Sequence, residues 1–258
     1  MEQTEKDELR QQQTLGIPGL PSFLGSQEGF VLVATLQEPI EADARDERWL
    51  EVFNNTIDAM RLTGPGAVAI DRVLAPGDEA LRLLSPFWPP PRFLAPRYRL
   101  TEKSVGTLDA LSARLPLANK GAISMAISRF SSAYYRNSRE DELIDVWVAL
   151  EALFSPTDRR ELTYRIPLRV AHYIGSSADE QEHIYNVLLD SYDLRSSVVH
   201  GRPLKGQTKK LKMRPGKVIE ETEDYLRRAL RSIIISEEEF DSEELDVGIA
   251  RGRETRGN

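Results

Sequence analysis

The sequence predicts an α+β protein that is mainly α, a small N-terminal α/β region followed by a C-terminal helical bundle. Three observations carry that expectation. Apolar residues recur at helical spacing through every segment between about Thr101 and Ile235. Ahead of them lie two short β-branched runs set off by glycine and proline breakers. The balance of 40% hydrophobic to 29% charged residues over 258 positions is that of a globular protein with room for a sizeable core.

Residues 1–28 read as a flexible polar arm ending in the Gly/Pro-punctuated stretch Leu15 to Gly25. Residues 29–116 make the small α/β region. Gly29 to Leu36 and Ala67 to Leu74 have strand character, the second entered through the breaker Gly64-Pro65-Gly66. Between them Trp49, Val52, Phe53, Ile57, Met60 and Arg61 fall at helical spacing, predicting an amphipathic helix over Asp46 to Leu62. Ser85 to Pro96 is too rich in proline to be helical inside, and Arg97 to Leu100 is a further candidate strand. Thr101-Glu102 opens a helix expected to stop at Pro116.

Residues 117–235 make the bundle. Asn119 to Arg136 carries Ile123, Ile127, Phe130 and Tyr134 on one stripe, whereas Glu140 to Phe154 is apolar almost all round and should be the most buried helix. Glu161 to Ile174 and Ala178 to His200 follow, the latter closed by Gly201 as a C-terminal cap with Pro203 beyond it. Val218 to Ile235 is the last expected helix. Residues 236–258 are acidic at their start and are expected to form a solvated, disordered tail.

The absence of cysteine excludes disulfides, thiolate metal sites and cysteine nucleophiles. Met1 to Gln13 is polar where a signal peptide needs an apolar run, and no stretch approaches membrane-spanning length, so a cytoplasmic protein without a membrane partner is expected. A net charge of -7 means that any nucleic-acid contact comes from a local patch. One is present. Arg202, Lys205, Lys209, Lys210, Lys212, Arg214 and Lys217 run without an acidic interruption and are candidates for phosphate binding.

The segment Tyr192-Asp193-Leu194-Arg195-Ser196-Ser197-Val198-Val199-His200-Gly201 carries the chemistry. On a helix advancing ~100° per residue, Arg195 and His200 straddle one face with Tyr192 and Val199 between them. RNA cleavage by transesterification needs a 2′-hydroxyl deprotonated, a 5′-oxygen protonated and the phosphate charge stabilised. Imidazole can move the protons near neutral pH, and guanidinium offers a charged fork matched to phosphate oxygens, without a metal or cofactor. The carbonyl end of the helix favours imidazolium, which suits His200 to the donor role.

This segment, with Leu143-Ile144-Asp145-Val146-Trp147-Val148-Ala149-Leu150-Glu151-Ala152-Leu153-Phe154, resembles the HEPN superfamily, specifically its Apea-like group. The resemblance covers roughly residues 119–235, with a weaker likeness over Leu62 to Leu74. It implies a bundle of four to five helices that dimerises and joins two Arg/His pairs into one RNA-cleaving site. Arg195 and His200 match the motif, and Ser196 stands where many active relatives carry Asn, His or Asp. It also implies a toxin, antiviral defence or stress setting in bacteria or archaea, with an antitoxin or regulatory protein as a further partner.

Two other readings stay open: a HEPN module that binds RNA or nucleotide without cutting, and a structural dimerisation or interaction protein. Arg195 should pair with an internal carboxylate, Glu151 or Asp145, because a charge in an apolar helix needs a partner. Tyr192 and Ser196 support the pair. His172 and His183 read as structural or surface residues, Tyr134 and Tyr135 as core, and Trp88 as packing.

Overall fold

The structure is a computed structural model that describes residues 48–66, 68, 73–76, 81–85, 98–155, 162–202, 204, 213–236, 238 and 240–251. These residues are mostly helical. They contain α1 (Arg48–Thr63), β1 (Val73–Pro76), β2 (Leu81–Ser85), α2 (Glu102–Ala118), α3 (Gly121–Ala133), α4 (Arg139–Phe154), α5 (Leu162–Ile174), α6 (Ala178–Val199), α7 (Pro215–Ile235) and α8 (Ser242–Ala250). The chain forms two compact units, one of Met1–Trp49 with Ala69–Pro89 and one of Leu50–Val68 with Pro90–Asn258.

In the first unit β1 and β2 pair antiparallel, with an irregularity between Val73 and Leu74. Of the strand expected from Ala67 to Leu74, Val73 and Leu74 fall in β1 and Val68 is in no strand, while residues 67 and 69–72 lie outside the described residues; β2 has no counterpart in the sequence pattern. The expected arm 1–28 and strand Gly29 to Leu36 lie outside the described residues, as do Trp88 and most of the proline-rich stretch.

The second unit is a helical bundle, and it claims α1 and α2, which the sequence suggested belonged with the strands. The reason is burial. Ala59, Leu62, Leu111 and Leu115 join the same apolar core as Phe130, Leu150, Val170, Leu188 and Leu226. The candidate strand at Arg97 to Leu100 is absent from Tyr98 to Leu100, which run without ladder partners. Tyr98 instead lies against Gly66, where the φ of 136° favours glycine and a Cβ would fall 2.4 Å from Tyr98 Cα.

Local rules explain the helix ends. Ser138 accepts from the Asp141 amide at the start of α4, where Glu140, Asp141 and Glu142 complement the helix dipole. Ser177 caps α6 by accepting from the Glu180 amide, while the Glu180 side chain accepts from the Ser176 amide at 2.8 Å. Pro116 does not stop α2, which continues to Ala118. Proline removes one amide and frees only the carbonyl of Ser112, and both residues are exposed, so solvent satisfies it.

α7 is the hub. Val218, Ile219, Tyr225, Leu226, Ala229, Leu230, Ile233 and Ile234 are buried, and it packs on α2, α3, α4, α5 and α6. A buried polar knot holds it to α1 and α3. Arg227 donates through Nε to the Arg61 carbonyl at 3.0 Å and through Nη2 to Tyr134 Oη at 3.0 Å and Glu223 at 2.6 Å. Arg61 in turn donates twice to the Val68 carbonyl and sits over the rings of Tyr134 and Tyr135. Burial, reinforced by the Glu223 carboxylate, pushes the Tyr134 hydroxyl up to about 12.

Residues 236–258 were expected to be a disordered tail, and the structure corrects this over α8. Asp241 caps the helix by accepting from the Glu243 amide. Buried Arg169 grips Asp246 with Nε at 2.8 Å and Nη2 at 2.7 Å, and its Nη1 donates to the Phe154 carbonyl at 3.0 Å. Arg165 also reaches Asp246. Phe240 completes an aromatic cluster with Phe154 and Tyr173. An acidic composition implies solvation, but one carboxylate facing two arginines, with Phe240 and Leu245 packed on the core, docks the segment.

Two outcomes follow. Arg227→Ala removes the donor that the Arg61 carbonyl, Tyr134 and Glu223 share in the interior, and it is expected to destabilise the protein by about 3–5 kcal/mol in urea unfolding. A loss below about 1 kcal/mol would show that the knot adds nothing to α1 docking. The guanidiniums of Arg169 and Arg165 hold the Asp246 carboxyl down at about 2 from its ordinary 3.8, and hydrogen bonds from Ser176 and Arg228 hold Glu180 at about 2 from 4.5. Both folded values lie below the unfolded ones. Their stabilisation is thus complete above about pH 5 and lost as pH falls toward 2. Melting temperature should fall over that window, and less steeply in Asp246→Asn.

Candidate functional site

The site is built on the contact between α4 and α6. On α4, Trp147 and Glu151 are one turn apart and share a face; on α6, Ser191 and Arg195 do the same. Trp147 Nε1 donates to Ser191 Oγ at 2.9 Å, with both residues buried. One turn further along each helix, Arg195 Nη2 lies 3.2 Å from Glu151 Oε1. Matching increments mean that the two helices run in the same direction where they touch.

Of the two carboxylates expected beside Arg195, Glu151 is the one in reach. Asp145 is not, so Glu151 alone meets the expectation that one or other carboxylate pairs with Arg195. Asp145 lies elsewhere on α4, buried, and its two oxygens take Arg129 Nη1 and Arg136 Nε. Six residues separate Asp145 from Glu151, which turns it ~120° away around the helix. Glu151 itself is 28% exposed and Arg195 25%, so the pair is neither entombed nor fully solvated.

Tyr192 packs edge-on against Trp147, with ring centroids 5.2 Å apart, and the Arg195 guanidinium carbon is 5.9 Å from the Tyr192 ring centroid. That distance is at the outer limit of a cation–π contact. Arg195 Nε is buried and has no acceptor among the described residues. An unpaired buried donor is uncommon because its lost hydration is not repaid; among the described residues this guanidinium has a single oxygen contact and a ring face.

His200 follows at the helix end. It is exposed and occupies the C-cap, its amide donating to the Ser196 carbonyl at 3.1 Å. Gly201, at φ 74°, takes the left-handed conformation the sequence assigned to it, the Gly201 amide donating to Val198 and the Arg202 amide to Ser197, each at 2.9 Å. Leu204 then returns to the core. Ser196 is half-buried, one residue beyond Arg195, and Val199, beside His200, is 56% exposed.

Of the seven cationic residues expected to bind phosphate, three are described. Arg202 and Arg214 are exposed, the latter at the N-cap of α7. Lys217 is exposed with Nζ 3.6 Å from Glu221, whose other oxygen takes His183 and Tyr225. Lys205, Lys209, Lys210 and Lys212 lie outside the described residues. His172 sits beneath Gly248 of α8, and burial lowers its pKa.

The sequence reading missed Ser191. A small polar residue inside the stripe of Val187, Leu188 and Leu194 was the available signal, since a buried hydroxyl requires a partner. Comparison of the chain with family models, with curated proteins and with solved structures finds no match to any of them. No described helix is long and apolar enough to cross a membrane.

The two carboxylates on α4 are expected to behave differently. Glu151→Ala should change stability by less than about 1 kcal/mol, as for other part-exposed ion pairs. Asp145→Ala removes a buried carboxylate with its contacts to the part-exposed Arg129 and Arg136, for a loss of about 1.5–3 kcal/mol, the range of hydrogen bonds to a charged group. Equal losses in chemical denaturation would contradict the assignment.

Proposed function

We propose that this chain is a metal-independent endoribonuclease of HEPN type, working as a homodimer on RNA. The observation that carries this reading is the arrangement at the end of α6: a guanidinium tethered by Glu151 but still part-exposed, and an exposed imidazole at the cap of the same helix. The resemblance quoted above supplies the reaction class and the HEPN-type bundle.

In the proposed reaction the ribose 2′-oxygen loses its proton and attacks the adjacent phosphorus, the P–O5′ bond breaks, and the leaving 5′-oxygen gains a proton. Arg195 stabilises the charge that builds on the non-bridging oxygens; Glu151 limits its swing, and Tyr192 walls one side. His200 delivers the proton to the leaving oxygen. A dimer supplies two His200 side chains, one to accept and one to donate. The exposed Val199 beside His200 offers an apolar contact for the second copy, and Ser196 supplies one hydrogen bond near the phosphate. Arg202, Arg214 and Lys217, with the lysines between them, attract the strand. By the same resemblance the setting is cytoplasmic toxin or antiviral defence, held in check by an antitoxin or regulatory protein.

The test uses purified protein and single-stranded RNA in excess chelator. Wild type should cleave, and Arg195→Ala and His200→Ala should each lose a hundredfold or more in rate while RNA binding persists. Binding should weaken steeply between 50 and 200 mM salt, on the scale typical of proteins that neutralise several phosphates. Binding without cleavage in wild type would favour the non-catalytic module, and no binding at low salt the structural one.

A further inference from the structure

The Trp147–Ser191 hydrogen bond does more than satisfy two buried groups. It is the inner of two rungs between α4 and α6, and the outer rung is Arg195–Glu151. The outer rung is poorly suited to setting its own position. It is a single N···O contact at 3.2 Å between part-exposed side chains, a weak class of ion pair, and Arg195 Nε makes no hydrogen bond to the described residues. The inner rung has the opposite character. Neither the indole N–H nor the hydroxyl has water to turn to, so a slip of α6 along α4 leaves both unsatisfied in the interior.

We infer that Ser191 and Trp147 are positioning residues, which fix the axial register of α6 on α4 and thereby place Arg195 against Glu151 for the reaction. The inference deepens the ribonuclease reading and rests on it for its catalytic consequence. Ser191 touches neither substrate nor reacting atoms and acts only through the helix that carries Arg195.

The experiment compares Ser191→Ala and Trp147→Phe with Ile184→Val, a truncation at another fully buried position of α6. Three readouts are taken on the full chain: melting temperature, the kcat and KM for a single-stranded oligoribonucleotide, and the side-chain Nε–Hε signal of Arg195 in a nitrogen-15 spectrum. All three variants should melt a few degrees lower. In Ser191→Ala and Trp147→Phe, kcat should fall at least tenfold with KM within twofold, and the Arg195 signal should shift or broaden. In Ile184→Val, kcat and the signal should stay as in wild type. If the Arg195 signal is unmoved in Ser191→Ala, or if Ile184→Val moves it and lowers kcat equally, the hydrogen bond is only part of the core and the inference fails. A wild type that cuts no RNA defeats the ribonuclease reading alone, because the Arg195 signal still decides the register.

Discussion

The alignment of α4 with α6 is the constraint on which the candidate site depends. Arg195 does not choose its own place: among the described residues its guanidinium has one oxygen contact and one ring face, so its position follows the helix that carries it. That backbone is set by packing. Trp147, the bulkiest fully buried side chain, fills the space between the helices, and its N–H finds one acceptor, Ser191. A hydrogen bond sealed from water is unforgiving of displacement, whereas an ion pair at the surface tolerates it. Precision thus comes from the interior, and the part-exposed charge is carried to its place.

A second principle runs through the bundle: arginine is used to tie helices whose apolar contact is small. Arg227 joins α7 to α1 through the Arg61 carbonyl, and Arg169 joins α5 to the last carbonyl of α4 and to Asp246 of α8. The planar fork suits this work, because several donors in one plane can satisfy a carbonyl and a carboxylate together. α8 illustrates the result. None of its residues is fully buried, yet it is anchored, since Arg169 and Arg165 meet one carboxylate and Phe240 adds an aromatic foothold. The ionic part of that anchoring is tied to pH through Asp246.

Much of the bundle was legible in the residues. The starts expected at Glu140 and Ala178 lie within a residue of those of α4 and α6, and the end of α6 follows from Gly201 as the C-terminal cap after the last periodic residue. The contact of Arg195 with a carboxylate was also readable, since Glu151 interrupts an apolar helix. Pairings that depend on how helices cross were not. Glu151 and Asp145 were equally open as partners of Arg195, because the pattern does not say which side of α4 meets α6; Arg129 and Arg136 become neighbours of Asp145 only through the turn after α3. α8 was hidden for the same reason: its acidity reads as solvation until the chain folds back on Arg169. The assignment of α1 to the strands failed because periodicity reveals that a helix has an apolar face and is silent on what covers it.

The central claim is chemical, that a guanidinium and an imidazole on one helix cleave RNA through the 2′-oxygen. It is tested most directly by the ends of the products formed in chelator, read by mass spectrometry on a defined oligoribonucleotide. The account predicts 2′,3′-cyclic phosphate on one fragment and a 5′-hydroxyl on the other, with no cut where the ribose lacks its 2′-hydroxyl. Fragments bearing a 5′-phosphate and a 3′-hydroxyl would contradict it, for those ends require an attacking water and a different site.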